Sequence, residues 1–400
     1  MNDRAKHFNA YVVISTFGRA LMEAFVPVIM LKSGYDLHGI LFYYLLMNLI
    51  SFIITYPLAV VSKRFDNRIL ATAAILAYIG MQFVLPSLDG SIAKIAIVAL
   101  LYAIYRRCYW QSRRFYMLHV VRDRNKIGRS YAVVSILNQL ALMGATYVGV
   151  ICLDGLSMNI LIIVSGAIMF LGLIPLYRMK FKHEKNTVKL NLFKALRLIP
   201  PRDLFIFGAF EVTNVVKFLF PIYVVLHVRD NYQAVGLVAV VTDLAIIVFT
   251  YFFGKRLDTT SKDFLRISTL LVVLVYVVKV FSGNPLLYIV SFIEGFTTKM
   301  QEVSVQRKFH LLSKKYEYSN YNLAYEMSLN FHRLLLATII FILPVGIREA
   351  ILISLGLMFL AVFADFKLPK MKDFDESVCI EEWFSRKQKR TRNVRALLLG

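Results

Sequence analysis

Apolar runs long enough to cross a membrane recur along the whole chain, each closed by a short polar or charged stretch. Twelve can be read, at 8–31, 39–61, 69–87, 93–112, 131–152, 159–177, 204–227, 234–253, 264–281, 286–306, 321–343 and 349–366. About 20 apolar residues in a helix cross the hydrocarbon core. A helix also satisfies its own backbone donors and acceptors, which lipid cannot do. The pattern therefore predicts an all-α membrane protein with twelve transmembrane helices. The polar, basic segment 178–203 separates an N-terminal six-helix bundle (1–177) from a C-terminal one (204–366), and a basic tail covers 367–400. The breaks on one side are short and turn-like, as at Pro86-Ser87-Leu88-Asp89-Gly90, and leave no room for a folded domain.

An internal repeat sharpens this picture. Ser62-Lys63-Arg64-Phe65-Asp66-Asn67 resembles Gly254-Lys255-Arg256-Leu257-Asp258-Thr259, 192 residues later. Pro27 matches Pro221, Asp36 matches Asp230, and Arg113-Arg114-Phe115 matches Arg307-Lys308-Phe309, all at an offset of 194. Two related membrane halves fused head to tail point to a solute carrier with its site between them.

Charge fixes the orientation. The formal net charge of +22 invites a nucleic-acid reading, but its distribution argues against one. Of 47 Lys and Arg, 36 fall on the side that holds both termini, three on the other (Lys32, Arg229 and Arg348), and eight within spans. That asymmetry predicts both termini in the cytoplasm, and the plasma membrane is the expected location. Cys108, Cys152 and Cys379 show no pairing pattern. The first apolar run carries Arg19 and Glu23 and lacks a small-residue cleavage site, so it is expected to remain as a span. No phosphate-cradling Gly-rich loop and no metal-ligand spacing occurs, so neither cofactor nor metal is expected. Two further segments each keep two readings. The linker's Lys189–Leu198 stretch is a tether or an amphipathic leaflet helix, and the tail is a topology signal or a leaflet-binding segment.

The paired cytoplasmic hairpins after spans 2 and 8 resemble those of the major facilitator superfamily. Its signature between spans 2 and 3 is roughly Gly, a few apolar residues, then Asp-Arg-x-Gly-Arg-Arg. Here Arg64, Phe65 and Arg68 keep the core, Lys63 stands in place of the usual Asp, and Asp66 in place of a Gly. Asp123-Arg124-Asn125-Lys126-Ile127-Gly128-Arg129-Ser130-Tyr131-Ala132, before span 5, is similar to another motif common in that family. Span 5 then carries Gly144 and Gly149 with Ala141 and Ala145, a small-residue packing face. The resemblance implies gating by two hairpins, here Lys63, Arg64, Asp66 and Arg68 and then Lys255, Arg256 and Asp258.

Ionisable groups inside spans are costly and mark candidate sites. Arg106, Arg107, Trp110, Arg113 and Arg114 lie within an arc of about 120° on span 4. Such a face should line an aqueous cavity and can grip carboxylate or phosphate. Arg19 and Glu23 have the i,i+4 spacing of an ion pair, and Glu23 is the candidate proton-coupling group. Lys217 sits 194 residues after Glu23, so the two are expected to face each other across the cavity. Span 10 presents Lys299, Glu302 and Gln306 on one face. Span 11 presents Asn322, Glu326, Asn330 and Arg333. Both mixed-sign stripes are expected to be self-neutralising. The substrate set is then Arg106, Arg107, Trp110, Lys217, Lys299, Asn330 and Arg333, and the charge network is Arg19, Glu23, Glu302 and Glu326. Asp243, Lys279 and Asn138-Gln139 stand isolated in sequence.

The expected activity is secondary transport of a small anionic or zwitterionic solute, coupled to protons, by a monomer in contact with membrane lipids. Rivals are an exporter or flippase of an amphiphilic drug or anionic lipid, a non-transporting receptor or scaffold, and a membrane transferase. The last needs a carboxylate or His cluster at one membrane face, and the outer loops offer only single acids.

Overall fold

The computed structural model describes residues 3–120, 127–155, 157–179, 190–197, 201–228, 232–253, 265–283, 285–315, 318–343 and 345–363. The second hairpin expected at Lys255, Arg256 and Asp258 lies outside these residues, as does the tail from 364. Among the described residues the regular structure is helical: α1 (Asp3–Glu23), α2 (Val26–Lys32), α3 (Leu37–Arg64), α4 (Asn67–Val84), α5 (Ile92–Val120), α6 (Ile127–Gly155), α7 (Met158–Arg178), α8 (Leu192–Leu196), α9 (Pro201–His227), α10 (Tyr232–Phe253), α11 (Leu265–Val280), α12 (Leu286–Lys315), α13 (Tyr318–Ile342) and α14 (Ile347–Phe363). A single 3₁₀ turn follows α4 at Leu85–Ser87.

The first expected span is broken. The chain turns at Ala24 and Phe25, and Pro27 enters the first turn of α2, where its missing N–H is not needed. Its repeat partner Pro221 lies instead inside an unbroken α9. Several starts are capped: Asp36 accepts from the Gly39 amide at 2.7 Å, Asp66 from that of Arg68 at 3.0 Å, and Ser157 from that of Ile160 at 3.4 Å. Gly34 turns the chain between α2 and α3 with φ +88°, a conformation other residues avoid.

Among the described residues, seven helical stretches are long and apolar enough to cross a membrane, by length and composition: Asp3–Lys32, Leu37–Arg64, Asn67–Ser87, Val133–Leu153, Met158–Arg178, Phe207–His227 and Tyr232–Phe252. Together they mark an integral membrane protein. Of the rest, α11 and α14 are 16 and 17 residues long, while α5, α12 and α13 carry the buried charges described below.

Helix α1 packs on α7, α6 and α5, and α4 on α5 and α7. Later in the chain α10 and α11 pack on α12, and α13 and α14 on α9. The sequence halves meet where α3 packs on α13, α6 on α10 and α2 on α9. Close crossings need missing side chains. A Cβ on Gly149 of α6 would stand 2.3 Å from the Leu21 carbonyl oxygen of α1, and one on Gly295 of α12 the same distance from that of Thr242 on α10. The small-residue face expected on span 5 is thus the face that α1 uses.

Candidate functional site

A cavity of about 640 Å³ opens among α1, α2, α3, α5, α6, α9, α10, α11, α12 and α13. Its wall carries nine cations (Arg19, Arg106, Arg107, Arg113, Arg114, Lys217, Lys279, Lys299 and Arg333) and six carboxylates (Glu23, Glu211, Asp243, Glu294, Glu302 and Glu326), a formal excess of three positive charges. Tyrosines from α3 and α5 supply much of the remaining wall near Arg106, with Tyr44 stacked on Phe218 of α9 at 4.2 Å between ring centres.

On α1, Arg19 and Glu23 form the expected i,i+4 pair at 3.1 Å. Tyr102 of α5 donates to Glu23 at 2.5 Å, and Tyr78 of α4 donates to the Arg19 carbonyl at 2.8 Å. Lys217 lines the same cavity as Glu23 but forms no ion pair with it. On α12, Lys299 bonds Glu302 at 3.1 Å.

The stripe on α13 does not neutralise itself. Glu326, only 2% exposed, pairs with Arg107 and Arg114 of α5, so one carboxylate joins the two sequence halves. Arg333 pairs with Glu211 of α9. Asn330 lies between, donating to Thr55 of α3 at 3.1 Å and bonding Arg333 through its carbonyl oxygen at 3.5 Å. Helical spacing aligned these residues on one face, but the partners come from other helices.

The residues that stood isolated in sequence are held by neighbouring helices. Lys279 of α11 pairs with Glu294 of α12, Tyr276 donates to the same carboxylate at 2.6 Å, and the Lys279 ammonium lies 3.8 Å from the Phe220 ring centre. Gln139 of α6 bonds Asp243 of α10, and Thr16 of α1 bonds Asn138 at 2.8 Å. Glu294 is not among the residues expected from sequence. An acid within a predicted span, following a span that contains Lys279, was the available signal.

Arg106, Arg113 and Lys217 differ from the other cations. Arg106 reaches the neutral Asn48 at 3.3 Å. Arg113 reaches the Tyr109 hydroxyl at 3.1 Å and packs over the Trp110 ring at 5.1 Å. Among the described residues no carboxylate lies within ion-pair distance of either arginine or of Lys217.

The first hairpin is braced at its base. Asp66, besides capping α4, pairs with Arg68 at 3.6 Å and accepts from Tyr116 of α5 at 3.4 Å, and Arg68 bonds the Met179 carbonyl at the end of α7. Ser62 accepts from Gln111 at 3.0 Å, while Arg64 is exposed. Asp66 thus ties α3–α4 to α5.

At the far end of the same helices, aromatic pairs close the seam between sequence halves. His38 of α3 stacks on Phe341 of α13 at 4.2 Å, and Phe25 meets Tyr232 of α10 edge-on at 5.8 Å.

This arrangement is that of the major facilitator fold. Among solved structures, the nucleoside transporter NupG superposes with a TM-score of 0.68 at 11% identity, covering 91% of this chain and 100% of its own. A bacterial homologue of the iron transporter ferroportin, in an outward-facing state, gives 0.66 at 12% identity, with 91% and 98% covered. No protein-family model matches the sequence, and neither does any curated protein.

Proposed function

We propose that this chain is a secondary carrier, monomeric and with both termini in the cytoplasm, that moves a small anionic or zwitterionic solute across the plasma membrane. Residues 1–177 and 204–366 act as its two six-helix halves, joined by 178–203, and rock about the central cavity. One observation carries this reading: a cavity with three more cations than carboxylates, walled by helices of both sequence halves. The repeat supports it. An offset of about 194 residues takes α3 onto α10 and α6 onto α13, so the α3–α13 and α6–α10 contacts are one contact seen twice. Nucleoside and iron transporters share the fold, so the solute class is argued from the cavity alone.

Proton coupling would run through a carboxylate on this wall. Glu23 is one candidate, and its partners Arg19 and Tyr102 would have to exchange as it titrates. Asp243 is another, because its bond comes from the neutral Gln139 and, among the described residues, no cation lies within ion-pair distance. The four hairpin residues Lys63, Arg64, Asp66 and Arg68 would steady the cytoplasmic ends of α3 and α4 during the movement, with Lys255, Arg256 and Asp258 as their counterparts.

Purified protein in proteoliposomes should accumulate labelled organic anions, and faster under an inward proton gradient. Protein-dependent accumulation of no anion or zwitterion in a broad panel, with or without that gradient, would remove the carrier reading.

A further inference from the structure

An ionised side chain inside a membrane protein needs a counter-charge or water. Six of the nine cavity cations have a carboxylate at ion-pair distance, and several of these groups are sealed: Arg107, Lys279 and Lys299 are at most 3% exposed. The other three are Arg106, Arg113 and Lys217. Arg106 and Arg113 are half-buried, and Lys217 is exposed on the cavity wall. Among the described residues, the cations without a protein counter-charge are therefore ones that a solute can touch.

Their placement sets a length. Arg106, Trp110 and Arg113 occupy positions i, i+4 and i+7 of α5, which lie on one helix face. Seven residues rise about 10 Å. All three line the cavity, and Lys217 lines it from α9. A compact anion such as inorganic phosphate can engage one arginine of this stripe and not both. We propose, building on the carrier reading, that the Arg106–Trp110–Arg113 stripe binds an elongated organic dianion. One anionic group lies on Arg106 and the other on Arg113, with an apolar or aromatic middle over Trp110, and Lys217 adds positive potential from α9. Two negative charges also suit the local balance, in which these three cations are offset by Asp243 alone among carboxylates not already paired.

The chain supplies its own probe, since its two tryptophans are Trp110 and Trp383. In a Trp383→Phe background the intrinsic fluorescence reports Trp110. The full-length protein is titrated with α,ω-dicarboxylates of about 4 to 12 carbons, with monocarboxylates of equal length, and with inorganic phosphate. Each carbon–carbon bond of about 1.5 Å advances an extended chain by about 1.25 Å, so a separation of about 10 Å needs about nine carbons. Half-saturation should fall at least about tenfold from the shortest dicarboxylate to the nine-carbon one, and the matched monocarboxylate should be at least about tenfold weaker. Arg106→Gln and Arg113→Gln should each erase the length preference, while Arg106→Lys retains part of it.

A flat length series, an equally tight monocarboxylate, or phosphate binding as tightly as the best dicarboxylate would overturn the proposal using the unaltered stripe alone, whatever the variants do. Uptake of the same compounds separates the two readings. Length-selective binding without transport leaves this site standing and removes the carrier. Transport of a solute indifferent to Arg106→Gln and Arg113→Gln does the reverse.

Discussion

Glu326 accepts from Arg107 and Arg114 where almost no water reaches. Removing one member of a buried pair leaves the other charge without compensation and typically costs about 3–5 kcal/mol. Glu326→Gln should therefore lower the thermal midpoint of the detergent-purified protein sharply, whereas Arg64→Gln, at an exposed position, should leave it within about 1 °C. Equal midpoints for the two would mean that Glu326 does not hold α5 to α13. Asp243→Asn keeps an amide-compatible partner for Gln139, so it should fold and lose the proton-driven part of uptake; unchanged pH dependence would exclude Asp243. Individual charged positions were legible because an ionisable residue in an apolar run stands out. Their partners were not. Glu294 lies five residues before Lys299, which is off the helical stripe that drew attention to Lys299 and Glu302, and its partner Lys279 belongs to another helix. Tyr102, one turn before Arg106 on the same face, could have been found by extending the stripe backwards.

Helices were readable wherever apolarity is continuous, and their breaks less so. Pro27 and Pro221 match in the repeat, yet one begins a new helix after a turn and the other sits within α9. Proline removes one hydrogen bond, and the neighbouring packing decides whether the helix restarts or continues. Close helix approach was legible as composition, in Gly144, Ala145 and Gly149, but composition could not say which helix would fill the groove. It is α1, with the Leu21 carbonyl where a Gly149 side chain would stand. Gly149→Val should cost about 1–3 kcal/mol through overpacking. Gly283→Ala, which meets no neighbour, should cost well under half of that. Comparable losses in the two melting curves would show that the α1–α6 crossing is not tight.

At the scale of the molecule, the near-constant offset of matched pairs predicts two related halves, and the α3–α13 and α6–α10 packing is a pair of contacts that such a repeat relates. What the offset could not carry was the asymmetry between them, because charge pairs such as Arg107–Glu326 have no repeated counterpart to betray them. If the halves rock, the seam at His38 and Phe341 must part. A flexible, cleavable cross-linker between His38→Cys and Phe341→Cys, in a background without Cys108, Cys152 and Cys379, should abolish uptake, and cleavage should restore it. Uptake at the uncrosslinked rate would show that this seam stays shut throughout the cycle. The Arg107–Glu326 pair also bears on biogenesis. During translation α5 leaves the ribosome about two hundred residues ahead of α13, so its two arginines reach the bilayer long before their carboxylate exists. A fragment ending in the linker would lack Glu326, so the N-terminal portion should accumulate only when the remainder of the polypeptide, or a separately expressed copy of it, is present to complete it.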